Sequence, residues 1–459
     1  RSALYGNWGG SNNTAIGPEA LYANTTGCHN TAIGNSAICS NTTGNYNFGV
    51  GLNTLRHNTT GSANNALGYQ SMYCNTTGHY NVAIGESALF YNTDGDCNTA
   101  LGYRPLYSNT TGCYNVALGS NALQSNTTGN YNVALGNQAL CGALSGTHNF
   151  AGGYRALYSN WGGYCNTAIG ESALEQNTTG GNNQAIGARA LCSNTTGNFS
   201  VAIGYGALLN NTTGSYNNAF GNYALGSNTT GGLNNAIGTY GLANNTTGSY
   251  NNALGHGGLC NNTTGSDNTA IGLYTLFNSL SGDHNFAAGR NALCSNWGGC
   301  YNNAIGLDAL KCNTTGLDNQ AIGRLALCGN TTGGYNQAMG CSALCKNTTG
   351  SYNQGIGNAA LLNNTTGCHN TAIGDRAMRC NTDGCYNTAL GRYALYTSLS
   401  GDNNFAAGQC ALYSNWGGCY NTAIGLQALC ANTTGDENVA IGQCTLRDNT
   451  TGCNNTAIG

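Results

Sequence analysis

The sequence predicts an all-β parallel solenoid, a β-roll or β-helix, built from 27 coils that follow a 17-residue repeat. Three observations predict it. The tetrapeptide NTTG starts at Asn24 and Asn41 and recurs on the same 17-residue spacing in most of the chain. The length of 459 residues equals 27 × 17, and no insertion breaks the register. Counted from Arg1, each coil follows the consensus x-x-A-L-x-x-N-T-T-G-x-Y-N-x-A-I-G, whose places are called positions 1 to 17 below. A fixed period of this kind is typical of a solenoid.

Two short strands are predicted in each coil, the A-L segment at positions 2–5 and the N-x-A-I segment at positions 13–16. The coil is rich in Gly, Asn and Thr, and its apolar runs are short, which favours strands between turns. NTTG and the closing Gly are expected to form the turns, because Gly accepts a positive φ and Asn tolerates one. Coils stacked about 4.8 Å apart would span on the order of 130 Å.

The core is expected from positions 4 and 16, which carry Leu and Ile in most coils, whereas positions 3 and 15 are almost always Ala. Adjacent strand residues face opposite sides, so both faces of the strands should be covered. The interpretation favoured is that the Ala face packs on another copy of the chain; the alternative is a flat single-chain roll. Pro105 at position 3 indicates either that this amide is unpaired in every coil or that its own coil carries a defect.

Composition limits the classes of partner. Charged residues make up 6% of the chain and the net charge is −3, without a basic stripe, so nucleic acid and anionic membranes are not expected partners. No apolar run approaches the roughly 20 residues of a membrane span. A long chain with so little charge should associate with itself. With no initiator Met, signal peptide or capping coil visible, residues 1–459 are expected to be one repeat solenoid cut from a longer protein.

The 23 cysteines favour an oxidising, extracellular setting, on a cell surface, in a secreted fibre or on a virion. They concentrate at positions 5 and 11, and their odd number leaves at least one thiol unpaired within the chain. The alternative is that Cys is a small hydrophobe, as expected for Cys192 and Cys260. Without any C-x-x-C motif, a metal site is not expected. Disulfide candidates, stacked one coil apart or facing across one turn, are Cys328 with Cys345, Cys368 with Cys385, and Cys294 with Cys300.

Asn-Thr-Thr is an N-glycosylation sequon, so the NTTG turns are candidate sites for covalent glycans. The alternative is a column of Asn and Thr side chains that satisfy one another, since sugars about 4.8 Å apart would be crowded. Both alternatives stay open at the level of sequence. The candidate asparagines are Asn24, Asn41, Asn58, Asn75, Asn109, Asn126, Asn177, Asn194, Asn211, Asn228, Asn245, Asn262, Asn313, Asn330, Asn347, Asn364, Asn432 and Asn449.

Three pairs of coils depart from NTTG. The first coil of each pair has A/S-L-S-G with Phe at position 14 and Gly or Ala at position 16, and the second has NWGG. The Phe is expected inside, where it would compensate the lost Ile volume. Leu and Trp at position 8 are expected to stack as apolar docking patches; the alternative is a packing variant copied with the repeat. The patches are Leu144 with Trp161, Leu280 with Trp297, and Leu399 with Trp416.

The strings NTAIG (30–34), NVAIG (81–85) and NVALG (115–119) resemble the head repeats of trimeric autotransporter adhesins. The longer string at 105–119 resembles the repeats of phage tail-fibre and bacterial surface proteins, with Pro105 in place of the first Ala. The resemblance covers all the coils and implies a parallel β-roll or β-helix, commonly a homotrimer, that serves as an adhesive or spacer shaft. This chain departs from the adhesin heads in its longer period and its many cysteines.

Catalysis is not expected. The acidic residues, such as Glu86, Glu171 and Asp308, are dispersed, and no G-K-[ST] phosphate loop occurs, so neither an enzyme nor a cofactor is predicted. The expected function is a structural shaft of an extracellular or virion fibre. The alternative is an adhesin module that recognises glycans or cell surfaces. A minor alternative is ice binding by the Thr columns at positions 8 and 9, which is weakened because consecutive strand residues cannot face the same way.

Overall fold

The computed structural model describes residues 2–459, which divide into two compact units; the first ends at Thr230 and the second comprises Gly231–Gly459. Each unit is a parallel β-solenoid with one three-residue strand per coil. The predicted all-β solenoid with a 17-residue coil is therefore confirmed. Within residues 2–459, no helix is long and apolar enough to cross a membrane.

The strands lie at positions 14–16 of the coils. Those of the first unit are β1 (Thr14–Ile16), β2 (Thr31–Ile33), β3 (Phe48–Val50), β4 (Asn65–Leu67), β5 (Val82–Ile84), β6 (Thr99–Leu101), β7 (Val116–Leu118), β8 (Val133–Leu135), β9 (Phe150–Gly152), β10 (Thr167–Ile169), β11 (Gln184–Ile186), β12 (Val201–Ile203) and β13 (Asn218–Phe220). Those of the second unit are β14 (Asn235–Ile237), β15 (Asn252–Leu254), β16 (Thr269–Ile271), β17 (Phe286–Ala288), β18 (Asn303–Ile305), β19 (Gln320–Ile322), β20 (Gln337–Met339), β21 (Gln354–Ile356), β22 (Thr371–Ile373), β23 (Thr388–Leu390), β24 (Phe405–Ala407), β25 (Thr422–Ile424), β26 (Val439–Ile441) and β27 (Thr456–Ile458).

Within each unit, successive strands pair in parallel with a register shift of one whole coil, so like positions stack. Ala15 lies beside Ala32 in the first unit, and Ala321 lies beside Ala338 in the second. Hydrogen bonds between neighbouring coils are not confined to the strands. Backbone amides at other positions also donate to the adjacent coil, for example Ala23 N to Cys39 O at 2.9 Å. Each coil is thus bonded to its neighbours around most of its circumference.

The predicted strand at the A-L segment is wrong: this segment is a turn. Leu at position 4 adopts a positive φ in coil after coil, for example 50° at Leu21 and 51° at Leu327, and position 2 does the same. These left-handed residues curl the chain so that the consecutive Ala20 and Leu21 are both fully buried, which an extended strand would forbid. Burial of the Leu side chain offsets a backbone strain of about 1–2 kcal/mol per residue.

Pro105 fits the first of its two interpretations. The amide at position 3 does not join the pairing between coils. It makes only a long hydrogen bond to the carbonyl three residues earlier, as Ala122 N does to Gly119 O at 3.4 Å. Proline at this position therefore removes only this weak hydrogen bond. The amide of the following residue, Leu106 N, still donates to Ala122 O at 3.0 Å.

The core contains the Ala columns and the Leu column, not the Ile column. Away from the first and last coils, the Ala residues at positions 3 and 15 and the Leu at position 4 are fully or almost fully buried. Ile at position 16 points outward, as Ile84 and Ile322 do. The expectation that position 16 fills the core while the Ala face packs on another chain is therefore wrong. A coil this short encloses little volume, so the strand turns its small residue inward.

Two columns of buried asparagine complete the interior. At position 7, Asn41 Nδ2 donates to Asn24 Oδ1 of the preceding coil at 2.7 Å and to Gly44 O of its own turn at 2.9 Å. At position 13, Asn30 Nδ2 donates to Gly44 O at 2.8 Å. We call the position 7 column the asparagine ladder. These bonds satisfy buried amides that would otherwise be costly.

Candidate interaction surfaces

The outer face of the strands is an uncharged surface that recurs in every coil of each unit. We call positions 14 and 16 together the strand face. In all 27 coils these positions carry no Asp, Glu, Lys or Arg, and position 16 is Gly, Ala or a larger apolar residue. The larger side chains are partly exposed, for example 49% at Ile237 and 50% at Leu254. Positions 14 and 16 point the same way because strand side chains alternate.

The size of this face reaches that of a protein interface. Strands of three residues are about 10 Å long and coils repeat about every 4.8 Å, so the thirteen strands of the first unit present roughly 600 Å². A stable protein interface buries about 600–1,000 Å² on each partner. In the second unit, Ile237, Leu254 and Ile271 line a shallow hollow of about 240 Å³ on this face. The strand face is therefore large enough to bind another macromolecule.

Phe at position 14 lies on this outer face, so its predicted place inside the coil is wrong. Phe286 is 38% exposed and Phe405 is 36% exposed. The predicted compensation of volume does occur, but outside: the Phe150 ring lies 3.5 Å from where a side chain on Gly152 would begin. In these coils the ring covers the strand where position 16 is small.

The three Leu–Trp patches lie on the surface. Leu280 N donates to Trp297 O at 3.3 Å, which stacks the two residues on neighbouring coils, and the same bond joins Leu144 to Trp161 and Leu399 to Trp416. Each side chain is about half exposed, as at Trp297 with 56%. The patches differ from the strand face in lying at position 8, on the turn. Trp in an exposed apolar pair is typical of a binding anchor.

The sequon asparagines lie inside the coil. Apart from the half-buried Asn449, every candidate asparagine is fully buried. In Asn24, for example, Nδ2 donates both to Asn7 Oδ1 at 2.7 Å and to Gly27 O at 2.9 Å. A glycan bonded to Nδ2 would replace one of these hydrogens and enter the packed core. The folded coil thus favours the alternative of a self-satisfied column over glycans at these turns.

The threonine columns differ in their hydroxyl groups. At position 8, Thr Oγ1 donates to the carbonyl of the following coil, as Thr25 does to Thr42 O at 2.9 Å. These hydroxyls are bonded within the protein, and the residues are half-buried. Before the last coil, only position 9 of these two columns presents exposed Thr, such as Thr26. A two-column Thr surface, which the ice-binding alternative requires, is therefore not formed.

Aromatic rings at position 12 form stacks along the coils. In the second unit Tyr335, Tyr352, His369 and Tyr386 stack with centroids 4.8–4.9 Å apart and planes parallel within 4°. Ring faces therefore contact one another, and solvent meets mostly ring edges. Since sugars bind aromatic faces, these stacks offer a glycan little beyond their ends.

The structure brings two of the predicted cysteine pairs together. Cys345 and Cys328 lie on neighbouring coils, where Gly329 N donates to Cys345 O at 2.7 Å. Cys368 N donates to Cys385 Sγ at 3.1 Å. Among residues 2–459 none of the cysteines forms a disulfide bond in this structure, and no group of three or more His, Cys, Asp or Glu is arranged to hold a metal ion.

Sequence reasoning missed two features of these surfaces. The strand face was assigned to the interior, although the absence of charge at positions 14 and 16 in every coil was visible. The electrostatic setting of Cys345 was also missed. The signal for it is that the chain has only two lysines, Lys311 and Lys346, and both adjoin cysteines.

No protein-family model matches the chain, and a search of curated proteins finds no match either.

Proposed function

We propose that the chain is a shaft segment of an extracellular or virion-associated fibre, that its chains associate side by side through the strand face, and that it has no catalytic role. The observation that carries the proposal is the strand face: two columns without charge and with exposed apolar side chains, present in every coil. The resemblance to adhesin and tail-fibre repeats supports the same conclusion.

Charge is absent from the whole strand face. The 29 charged residues, 13 basic and 16 acidic, lie at positions 1, 2, 5, 6, 9, 11 and 12 of the coil and never at positions 14 or 16. A face free of charge associates without the cost of desolvating ions, which supports association as its purpose.

The area is sufficient for association. Two strand faces of one unit in contact would bury roughly 1,200 Å² in total, at the lower end of stable interfaces at about 1,200–2,000 Å². Each coil already closes on its own Ala and Leu core. Association in pairs or as a homotrimer would therefore add to folded units and is not needed to complete them.

Charge placed on the strand face tests the proposal. We expect Ile237→Glu, Ile271→Glu and Ile305→Glu, combined in the full chain, to abolish association, since carboxylates would then have to be buried. These residues are exposed and two coils apart, so folding should persist. Sedimentation velocity would measure the mass of the species, and negative-stain electron microscopy would show whether fibres form.

The matched control adds the same charge elsewhere. Leu273→Glu, Leu307→Glu and Leu426→Glu replace equally exposed apolar residues at position 1, outside the strands, and should leave association unchanged. Undiminished association of the strand-face variant, or equal loss in the control, would contradict the proposal.

An adhesin that recognises glycans is the second candidate. The indoles of Trp161, Trp297 and Trp416 favour it, because about half of each side chain is exposed, whereas the ring faces of the position 12 stacks contact one another. A glycan array probed with the full chain separates the two functions: binding that is lost in Trp297→Ala would favour the adhesin.

A further inference from the structure

Three cysteines form a contiguous column of thiols in the second unit, which we call the thiol ladder: Cys312, Cys328 and Cys345. They lie on three successive coils, at position 6 or 5. The backbone fixes their neighbourhood, because Cys312 N donates to Cys328 O at 3.1 Å and Gly329 N donates to Cys345 O at 2.7 Å. The thiols of Cys312 and Cys328, and those of Cys328 and Cys345, are therefore close enough to affect one another's pKa.

The three thiols affect one another's pKa unequally. The interaction with Cys328, together with partial desolvation, raises the pKa of Cys312 strongly. The interaction with Cys312 lowers the pKa of Cys328, but the interaction with Cys345 and burial outweigh it and raise that pKa overall. At Cys345 the pKa is lowered to about 7, and the interaction with Cys328 is the largest cause.

Charged groups act at both ends of the ladder. Lys346 further lowers the pKa of Cys345, against the opposing effects of burial, Cys341 and Cys312. At the other end, Lys311 lowers the pKa of Cys312 more than Asp308 raises it, so charge favours a thiolate there too, but Cys328 and desolvation outweigh it. A thiolate beside a lysine is a setting in which cysteines react as nucleophiles.

We infer that the thiol ladder is a redox site at which Cys345 attacks a small-molecule disulfide and Cys328 resolves the product, leaving a disulfide that joins two adjacent coils. The inference is independent of the proposed fibre association. It rests on the stacking of Cys328 and Cys345 in register on neighbouring coils, on Cys312 in the coil before them and on Lys346 beside Cys345.

The chemistry balances in two exchanges. The Cys345 thiolate attacks one sulfur of the small-molecule disulfide, so that a mixed disulfide forms and one thiolate leaves, which takes up a proton. Cys328 then loses its proton and attacks the Cys345 sulfur, expelling the second small thiol. Overall one small-molecule disulfide is reduced to two thiols, and two protein thiols become one disulfide.

The chain contains natural comparisons. Cys368 and Cys385 also stack one coil apart, but burial raises the pKa of Cys385 and its neighbour Asp402 opposes the thiolate. Cys260 occupies position 5 like Cys345 and is also half-buried, but burial alone raises its pKa. Cys345 therefore shares its stacking with the Cys368–Cys385 pair and its burial with Cys260. It differs from both in its lowered pKa and in having Lys346 beside it.

Alkylation of the full, reduced chain by iodoacetamide is the first test, since it requires no variant. With peptide mass spectrometry we expect Cys345 to react about five- to tenfold faster than Cys260 at pH 7, because a larger thiolate fraction outweighs its lower nucleophilicity. The rate at Cys345 should reach half its maximum near pH 7. Equal rates at the two cysteines would overturn the inference.

Oxidised glutathione is the second test, with the fold of each variant checked by circular dichroism. In the unmodified chain we expect a Cys328–Cys345 disulfide to form. In Cys328→Ser the glutathione adduct should persist on Cys345, and in Cys345→Ser neither adduct nor disulfide should form at the ladder. The matched control Cys385→Ser should change none of this. A glutathione adduct that forms first on Cys328 or Cys312 would refute the assigned roles. So would the failure of the adduct on Cys345 to accumulate in Cys328→Ser.

Discussion

Asn262 and Ser279 occupy the same column in successive coils, yet neither Asn262 Oδ1 nor Ser279 Oγ, both buried, has a hydrogen-bond partner. In other coils Nδ2 of the next asparagine donates to this oxygen. Ser279 is too short to do so, and the asparagine ladder ends. The same interruption follows Asn381, where Ser398 stands next in the column, and Asn126, where Ala143 does. The coils with A/S-L-S-G are thus breaks in the internal ladder as well as sites of surface Leu–Trp patches.

Ser279→Asn should repair the ladder. Its Nδ2 would donate to Asn262 Oδ1, and its Oδ1 would accept from Asn296 Nδ2, which now donates only to Gly299 O. Two added buried hydrogen bonds should stabilise the unit by roughly 1–3 kcal/mol. The thermal unfolding midpoint measures the effect.

The reverse change is the matched control for this prediction. Asn330→Ser removes the same amide from an unbroken stretch, where Asn330 Nδ2 donates to Asn313 Oδ1 at 2.8 Å, and should lower the midpoint. If Ser279→Asn lowered it as well, the ladder would not be the source of stability at this position.

The orientation of the strands is tested by neighbouring residues in β19. Ala321 is fully buried and Ile322 is exposed, so Ala321→Ile should overpack the coil and destabilise it by about 1–3 kcal/mol. Ile322→Ala removes a larger side chain from the surface and should change stability by about 0.5 kcal/mol or less. Thermal unfolding compares the two; a larger loss in Ile322→Ala would reverse the assigned faces.

Trp297→Ala tests whether the Leu–Trp patches are docking points. If they are, removal of an exposed anchor should weaken lateral bundling by about tenfold or more in the concentration required, since such anchors contribute over about 2 kcal/mol. Light scattering measures this concentration. Tyr301→Ala, on the same coil and also exposed, is the control, and bundling unaffected by Trp297→Ala would favour a copied packing variant instead.

The 17-residue period was enough to predict the coil, the parallel pairing and the register, because identical residues stack only when coils repeat in step. It could not predict the A-L turn. Leu is not a residue that signals a positive φ, so Leu327 at 51° is imposed by the closure of the coil. The same closure decides the faces: Ala321 and Ile322 alternate in any strand, and only the small enclosed volume determines which of them points inward.

The cysteine spacing predicts Cys328 and Cys345 on neighbouring coils, but it does not predict which of the two has the lower pKa. The thiol ladder also includes Cys312, which lies at position 6 and joins the column because the A-L turn brings positions 5 and 6 of adjacent coils together. The repeat predicts which residues stack at the same position of successive coils. It does not predict a contact between different positions, such as Cys312 at position 6 with Cys328 at position 5.

The near-identity of the coils has a consequence for alignment. A neighbour sliding along the strand face would meet almost the same surface at each step of one coil, so the face specifies adhesion without specifying where along the length two chains stop. Within the second unit, the coils of Phe286 and Phe405 interrupt this uniformity seven coils apart. On two parallel neighbours both interruptions coincide at one offset, whereas an offset of seven coils matches only one of them, so these coils mark the position at which two such faces are aligned.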